Sequence, residues 1–136
     1  MPEVALGFDF GLSRIGTAVG QTITGTASPT GIITAREGIP QWEEIDRLIR
    51  RWKPTVLLVG QPLNADDTVS EIAARAHQFA LALAAHTGKS VTLVDERYSS
   101  RDARWRLEAL YGNRQGFRRI DDLAATLIVE TWLRSQ

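Results

Sequence analysis

From Val4 to Phe10 the chain alternates, with Val4, Leu6, Phe8 and Phe10 on one side and Ala5, Gly7 and Asp9 on the other, the period-2 signature of a β-strand. Gly11 to Arg14 reads as a tight turn into a second strand over Ile15–Gln21. A Gly- and Thr-rich stretch through Pro29 then leads to a third strand around Gly31–Thr34, which completes a meander. Pro40 lies near a helix start, and Trp42, Ile45, Leu48, Ile49 and Trp52 repeat at helical spacing until Pro54 ends the pattern. Val56–Val59 is a short continuous apolar run, as in a parallel strand covered on both faces, and Gly60-Gln61-Pro62-Leu63-Asn64 follows as a loop. Val69, Ile72, Ala73, Ala76, Phe79, Ala80 and Leu83 predict a second helix that stops near Gly88, before another buried strand over Ser90–Val94. Ser99 or Ser100 can cap a third helix carrying Ala103, Leu107 and Leu110. Gly112–Arg119 reads as a mobile loop, and a last helix runs from about Asp121 with Leu123, Ala124, Leu127, Ile128 and Thr131 on one side.

A meander followed by alternating helices and strands implies an α/β fold. Its five-stranded mixed sheet is antiparallel on one side and parallel in the middle, with helices against its faces and strand 1 central. At 136 residues the whole chain, 1–136, is expected to form one domain. No apolar run approaches the ~18 residues of a membrane span, and no basic segment followed by an apolar one marks export, so a cytoplasmic protein without a membrane partner is expected. With no cysteine, thiolate metal sites and a cysteine nucleophile are excluded.

Sixteen basic and sixteen acidic residues balance overall, which argues against nucleic-acid binding through bulk charge. Their distribution changes that picture. Seven arginines lie between Arg97 and Arg119 against two acids, while the rest of the chain is net acidic. An arginine-rich segment on an acidic body is a candidate anion site, although a solvated helix face with a basic loop has the same composition.

The acids sharpen the expectation. Asp9 lies on a central strand among glycines and phenylalanines, where an unpartnered charge is costly. It can bond a turn amide or an arginine such as Arg14, or it can hold a cation. Asp95 and Glu96 follow an apolar strand at its carboxyl end, where open α/β sheets place their sites, and alternation lets only one of them share the face of Asp9. Asp121 and Asp122 stand at the expected start of the last helix, where the helix dipole favours acids without any further role. Clustered carboxylates suit hard cations such as Mg²⁺, and two such ions ~4 Å apart can cleave a phosphodiester.

Gly7-Phe8-Asp9-Phe10-Gly11 with Ile15-Gly16-Thr17-Ala18-Val19-Gly20, Val59-Gly60-Gln61-Pro62-Leu63-Asn64 with Thr68, Asp95-Glu96-Arg97-Tyr98-Ser99, and Asp121 followed by Ala124-Ala125 together resemble the YqgF (RuvX) family. The resemblance runs in order over nearly the whole chain. It implies a ribonuclease H-like (RuvC-like) fold and a divalent-metal-dependent nuclease using Mg²⁺ or Mn²⁺. The substrate it implies is the 5′ end of precursor 16S rRNA, within a ribosomal precursor particle; the alternative is branched DNA, as for a Holliday junction resolvase. By position it assigns the metal-holding catalytic acids to Asp9, Glu96 and Asp121. The choice of Asp121 over Asp122 rests on that register, since both sit in one helical turn. Asn64, Thr68, Arg75, Arg97 and Ser99 also fall on the family's motif positions as nucleic-acid contacts or supports of the acids, and Arg14, Arg101, Arg118 and Arg119 are further candidate backbone contacts. Ser13-Arg14, Gln61 and Asp67 depart from the pattern around the turn and loop.

Rival readings are few. Gly11, Gly16 and Thr17 suggest a Walker loop, but no lysine follows Gly16. Asp9-Phe10-Gly11 is similar to the phosphate hairpin of the actin and sugar-kinase group, which needs two such domains around ATP. A catalytically weak RNA-binding module of ribosome assembly is the non-enzymatic reading. His77 and His86 lack zinc-site spacing and read as solvated helix positions; Trp42 and Trp52 fit a buried stripe, and Trp105 and Trp132 stay open between core, oligomer contact and base stacking.

Overall fold

The computed structural model of the chain describes residues 2–61, 70–95 and 116–136, with the backbone alone over 116–122. Its elements are β1 (Val4–Asp9), β2 (Arg14–Gln21), β3 (Thr26–Arg36), β4 (Ile39–Pro40), α1 (Trp42–Trp52), β5 (Val56–Gln61), α2 (Glu71–Thr87), β6 (Val91–Asp95) and α3 (Gly116–Arg134). They form one mixed sheet in the order β4-β3-β2-β1-β5-β6, antiparallel from β4 to β1 and parallel from β1 to β6. As the meander and the alternation imply, β1 is central.

The period-2 pattern of each strand separates two cores. Leu6, Phe8, Ile15, Val19, Leu57 and Val59 pack with Ile45 of α1 and with Ala76, Phe79, Ala80 and Leu83 of α2. On the opposite face Ala5, Ala18, Val56, Leu58 and Val94 pack with Ala125, Ile128, Val129 and Trp132 of α3, so Trp132 is core. Small residues on that face let α3 come close. A Cβ on Gly7 would sit 2.5 Å from Val129 Cγ2, and one on Gly20 would run into Val129 Cγ1.

Several boundaries differ from the sequence expectation. The sheet has six strands rather than five, because Ile39 and Pro40 pair with Arg36 and Ala35 as a short edge strand; α1 starts at Trp42, close after Pro40 as expected. β3 begins at Thr26 rather than near Gly31. Pro29, which reads as the end of a connection, and Gly31 flank an irregularity opposite Thr17 and Ala18, where Gly31 takes φ 113°. Proline is tolerated there because that stretch of β3 lies at the sheet edge. β6 is also an edge strand, with Thr92 and Asp95 exposed, and not the fully covered strand its apolar run suggests. α3 begins at Gly116, about a turn earlier than expected, so Gly116–Arg119 belong to it and not to a loop. Arginine is a good helix former, which offsets the glycine-rich approach. The expected helix of Ala103, Leu107 and Leu110, and the loop at Pro62–Asn64, lie outside the described residues.

Candidate active site at the end of the first strand

Asp9 is the last residue of β1, half-buried, and opposite Gly16 of β2. Ala5 packs under α3 and a Cβ at Gly7 would meet Val129 and the Ala125 carbonyl, so alternation turns Asp9 to the same α3 face. The register of α3 along β1 follows from these contacts. Val129 and Leu133 lie over Gly20, which pairs with Ala5, whereas Val129 and Ala125 lie over Gly7. The helix therefore runs antiparallel to β1. A step of two residues along a strand covers about 6.6 Å, and four along a helix cover about 6 Å. Moving from Gly7 to Asp9 thus leads from Ala125 to the helical turn containing Asp121 and Asp122.

These two acids stand in the second turn of α3, whose first turn holds no acid. The favourable interaction of an acid with the helix dipole fades beyond the first turn, so capping does not account for them. Asp95 ends β6 on the other side of the sheet: Leu93 packs with the α1/α2 core and Val94 with the α3 core, which places Asp95 away from the face of Asp9.

The turn after Asp9 is fixed by its backbone. A Cβ on Gly11 would collide with the Arg14 carbonyl oxygen, so the turn needs glycine there. The Gly38 amide donates to the Leu12 carbonyl at 2.8 Å and the Ala35 amide to the Ser13 carbonyl at 2.9 Å, tying the turn to the β3–β4 hairpin. Arg14, exposed at the start of β2, shares by alternation the face of Gly16 and Ala18. It therefore stands on the Asp9 face at the same end of the sheet. Arg75 does not. It is exposed on α2, against the opposite face, and donates from Nη1 to the Glu37 carbonyl at 3.5 Å.

Glu96, Asn64, Thr68, Arg97, Ser99 and Arg101 lie outside the described residues, and Arg118, Arg119 and Asp121 are given as α3 backbone. Among the described residues no three His, Asp or Glu side chains gather as a metal site. What the residue pattern did not reveal is the glycine floor: Gly7 and Gly20 set how close α3 sits, and their only signal is glycine recurring on one face of paired strands. It also missed His86, which is not merely solvated. Its ring stacks on Trp42 with centroids 4.4 Å apart, and its Nε2 lies 2.8 Å from Asp46 Oδ1.

A family model described as RuvX: Holliday junction resolvase matches residues 3–135. A Hahella chejuensis protein named "Putative pre-16S rRNA nuclease" is 47% identical over 131 residues, covering 96% of this chain and 83% of that protein. A Marinobacter nauticus protein of the same name is 46% identical over 132 residues, covering 96% and 92%. Among solved structures, Thermus thermophilus RuvC in complex with Holliday junction substrate matches with a TM-score of 0.55 at 16% identity, over 98% of this chain and 96% of that one. The fowlpox virus Holliday junction resolvase matches with a TM-score of 0.59 at 14% identity, over 98% and 99%. Those likenesses establish the ribonuclease H-like fold of the RuvC kind. With the family match spanning almost its full length and relatives at 46–47% identity, the chain belongs to the RuvX family.

Proposed function

We propose that the chain is a divalent-metal-dependent nuclease, a single domain over 1–136, that hydrolyses phosphodiester bonds in maturing the 5′ end of precursor 16S rRNA. The observation that carries this is the register of α3: Asp9 faces the helix at the level of the turn holding Asp121 and Asp122. Asp9, Glu96 and Asp121 are the proposed metal-holding acids. Of the pair at the end of β6, Glu96 is preferred because Asp95 belongs to the other face. Hard carboxylate oxygens fit Mg²⁺ or Mn²⁺, and the absence of cysteine leaves no thiolate donor. When bound, such ions supply water activation and stabilisation of the leaving oxygen.

The chain's own residues position the strand being cut. Asp9 is followed by a turn with glycine at residue 11 and two backbone hydrogen bonds to the β3–β4 hairpin, so the backbone that carries its carboxylate is fixed before substrate arrives. Arg14, on the same face, is a proposed phosphate contact, as are Arg97, Arg101, Arg118 and Arg119, with Asn64, Thr68 and Ser99 supporting the acids or the backbone. Arg75 contacts the nucleic acid from the other face. RNA is preferred because the relatives above 40% identity carry the rRNA nuclease name; the family description favours junction DNA as the second reading. No described helix is long and apolar enough to cross a membrane. The proposed substrate, a ribosomal precursor particle, is what supports a cytoplasmic location.

The test incubates end-labelled precursor 16S rRNA and a synthetic four-way DNA junction with the full chain in Mg²⁺ or Mn²⁺. Metal-dependent cleavage of the RNA supports the proposal, and resolution of the junction alone transfers it to DNA. RNA binding without cleavage at either metal identifies an assembly module and refutes nuclease action.

A further inference from the structure

Residues next to Asp9 open onto a second feature on the opposite side of the sheet. Phe10 follows Asp9 and belongs with the α1/α2 core. Its ring lies 5.4 Å from that of Phe79 on α2 and lines a cleft between α2 and the β3–β4 hairpin. The cleft holds about 330 Å³, at the small end of the ~300–1,000 Å³ usual for ligand sites. Trp42 contributes a further aromatic wall, with one side of its ring covered by His86. Arg75 and Gln78, one helical turn apart on α2, supply the polar groups. Both are exposed, and Gln78 makes no side-chain hydrogen bond among the described residues. The guanidinium of Arg75 makes one long bond, to the Glu37 carbonyl, and keeps its other donors.

We propose that this cleft holds one unpaired nucleotide of the substrate strand, its base against Phe10 and Trp42, its phosphate on Arg75 and its base edge on the Gln78 amide. Aromatic walls with one guanidinium and one amide suit a base attached to a phosphate, because every base has a stacking face and Arg matches phosphate oxygens. A duplex cannot enter so small a volume, whereas a single base can. Position gives the cleft its use. Asp9 and Phe10 are consecutive, so the same strand end offers a carboxylate to one face and an aromatic ring to the other. A strand crossing that end of the sheet meets both. Glu37 is the one acid among the described lining residues; it is exposed, and salt screens its repulsion of the phosphate.

This inference rests on the nucleic-acid reading above, but its test separates the two. Adenosine 5′-monophosphate and a short oligoadenylate are titrated against the full chain without divalent metal, with a duplex of equal length as control. The readout is the indole N–H resonance of Trp42 together with the dissociation constant. Arg75→Ala and Gln78→Ala change exposed side chains and preserve the fold. Arg75→Ala should weaken single-strand binding about tenfold, the worth of one hydrogen bond to a charged group. Gln78→Ala should weaken it less, Glu37→Gln should strengthen it, and duplex binding should not move. Unchanged single-strand affinity in both Arg75→Ala and Gln78→Ala, or a Trp42 resonance that does not shift, overturns the cleft even if the wild type cleaves RNA. A wild type that fails to cleave while Arg75→Ala loses nucleotide affinity overturns the nuclease reading and leaves the cleft standing.

Discussion

Replacing Gly7 with alanine tests how the site is assembled. The added methyl sits 2.5 Å from Val129 Cγ2, roughly 1 Å or more inside the ~3.5–4.0 Å of favourable carbon contact. Val129 is fully buried, and a helical valine is confined at χ1, so it does not swing aside. Overpacking of this kind costs ~1–3 kcal/mol, and the severity of the contact points to the upper end. Alanine recovers ~0.5–1 kcal/mol of backbone entropy relative to glycine, which leaves a net loss of about 2 kcal/mol. For a chain of this size that lowers Tm by roughly 8 °C. Val129→Ala alone should cost about 2 kcal/mol in lost burial, yet in the double variant it removes the clash. The pair should therefore be far from additive, with a coupling of about 2 kcal/mol. Urea unfolding followed by tryptophan fluorescence measures all three variants. Because Gly7→Ala pushes α3 away from β1, it should also slow RNA cleavage; a misplacement of ~1 Å can cost about 10²-fold. A neutral Gly7→Ala, or a strictly additive cycle, refutes the close seating of α3 on which the alignment of Asp121 with Asp9 rests.

Thr17 is fully buried, donating to the Gly31 carbonyl at 2.9 Å and accepting from Thr30 Oγ1 at 2.8 Å; Thr17→Val strands both partners and should cost ~1–3 kcal/mol in urea unfolding. Ser70 caps α2 by accepting from the Ala73 amide at 3.2 Å, so Ser70→Ala should cost ~1 kcal/mol and raise amide exchange in the first turn of that helix. Asp95→Asn should leave the rate of RNA cleavage unchanged while Glu96→Gln abolishes it, since Asp95 lies on the α1/α2 face; the reverse result exchanges their roles.

The sheet was legible where one residue pattern had one structural solution. Alternation in β1 assigned Asp9 to the face away from Phe8 and Phe10, and the packing of Ala5 and Leu6 into separate cores confirms it. The helix of α2 and its Gly88 terminus were equally plain: Gly88 takes φ 69° and its amide donates to the Ala84 carbonyl. Less was legible where long-range pairing overrode local signals. Pro29 reads as part of a connection and Pro40 as the approach to a helix, yet both lie in strands, at stretches of the sheet edge that dispense with a backbone donor. Arg118 and Arg119 read as loop because glycines precede them, although arginine readily continues a helix. The start of α3 matters for the site, because moving it to Gly116 takes Asp121 and Asp122 out of the capping position that their sequence context suggests. His86 and Asp46 are 40 residues apart, so nothing local announces their contact. The same holds for Arg75, which motif position groups with Asp9 and the fold sets on the other face.

The most direct measurement is Mn²⁺ binding to the full chain, followed by electron paramagnetic resonance, in wild type and in Asp9→Asn, Asp121→Asn and Asp95→Asn variants. A shared carboxylate site predicts that bound Mn²⁺ and RNA cleavage are lost together in Asp9→Asn and Asp121→Asn and kept in Asp95→Asn. Wild-type Mn²⁺ affinity and cleavage in Asp9→Asn would contradict it.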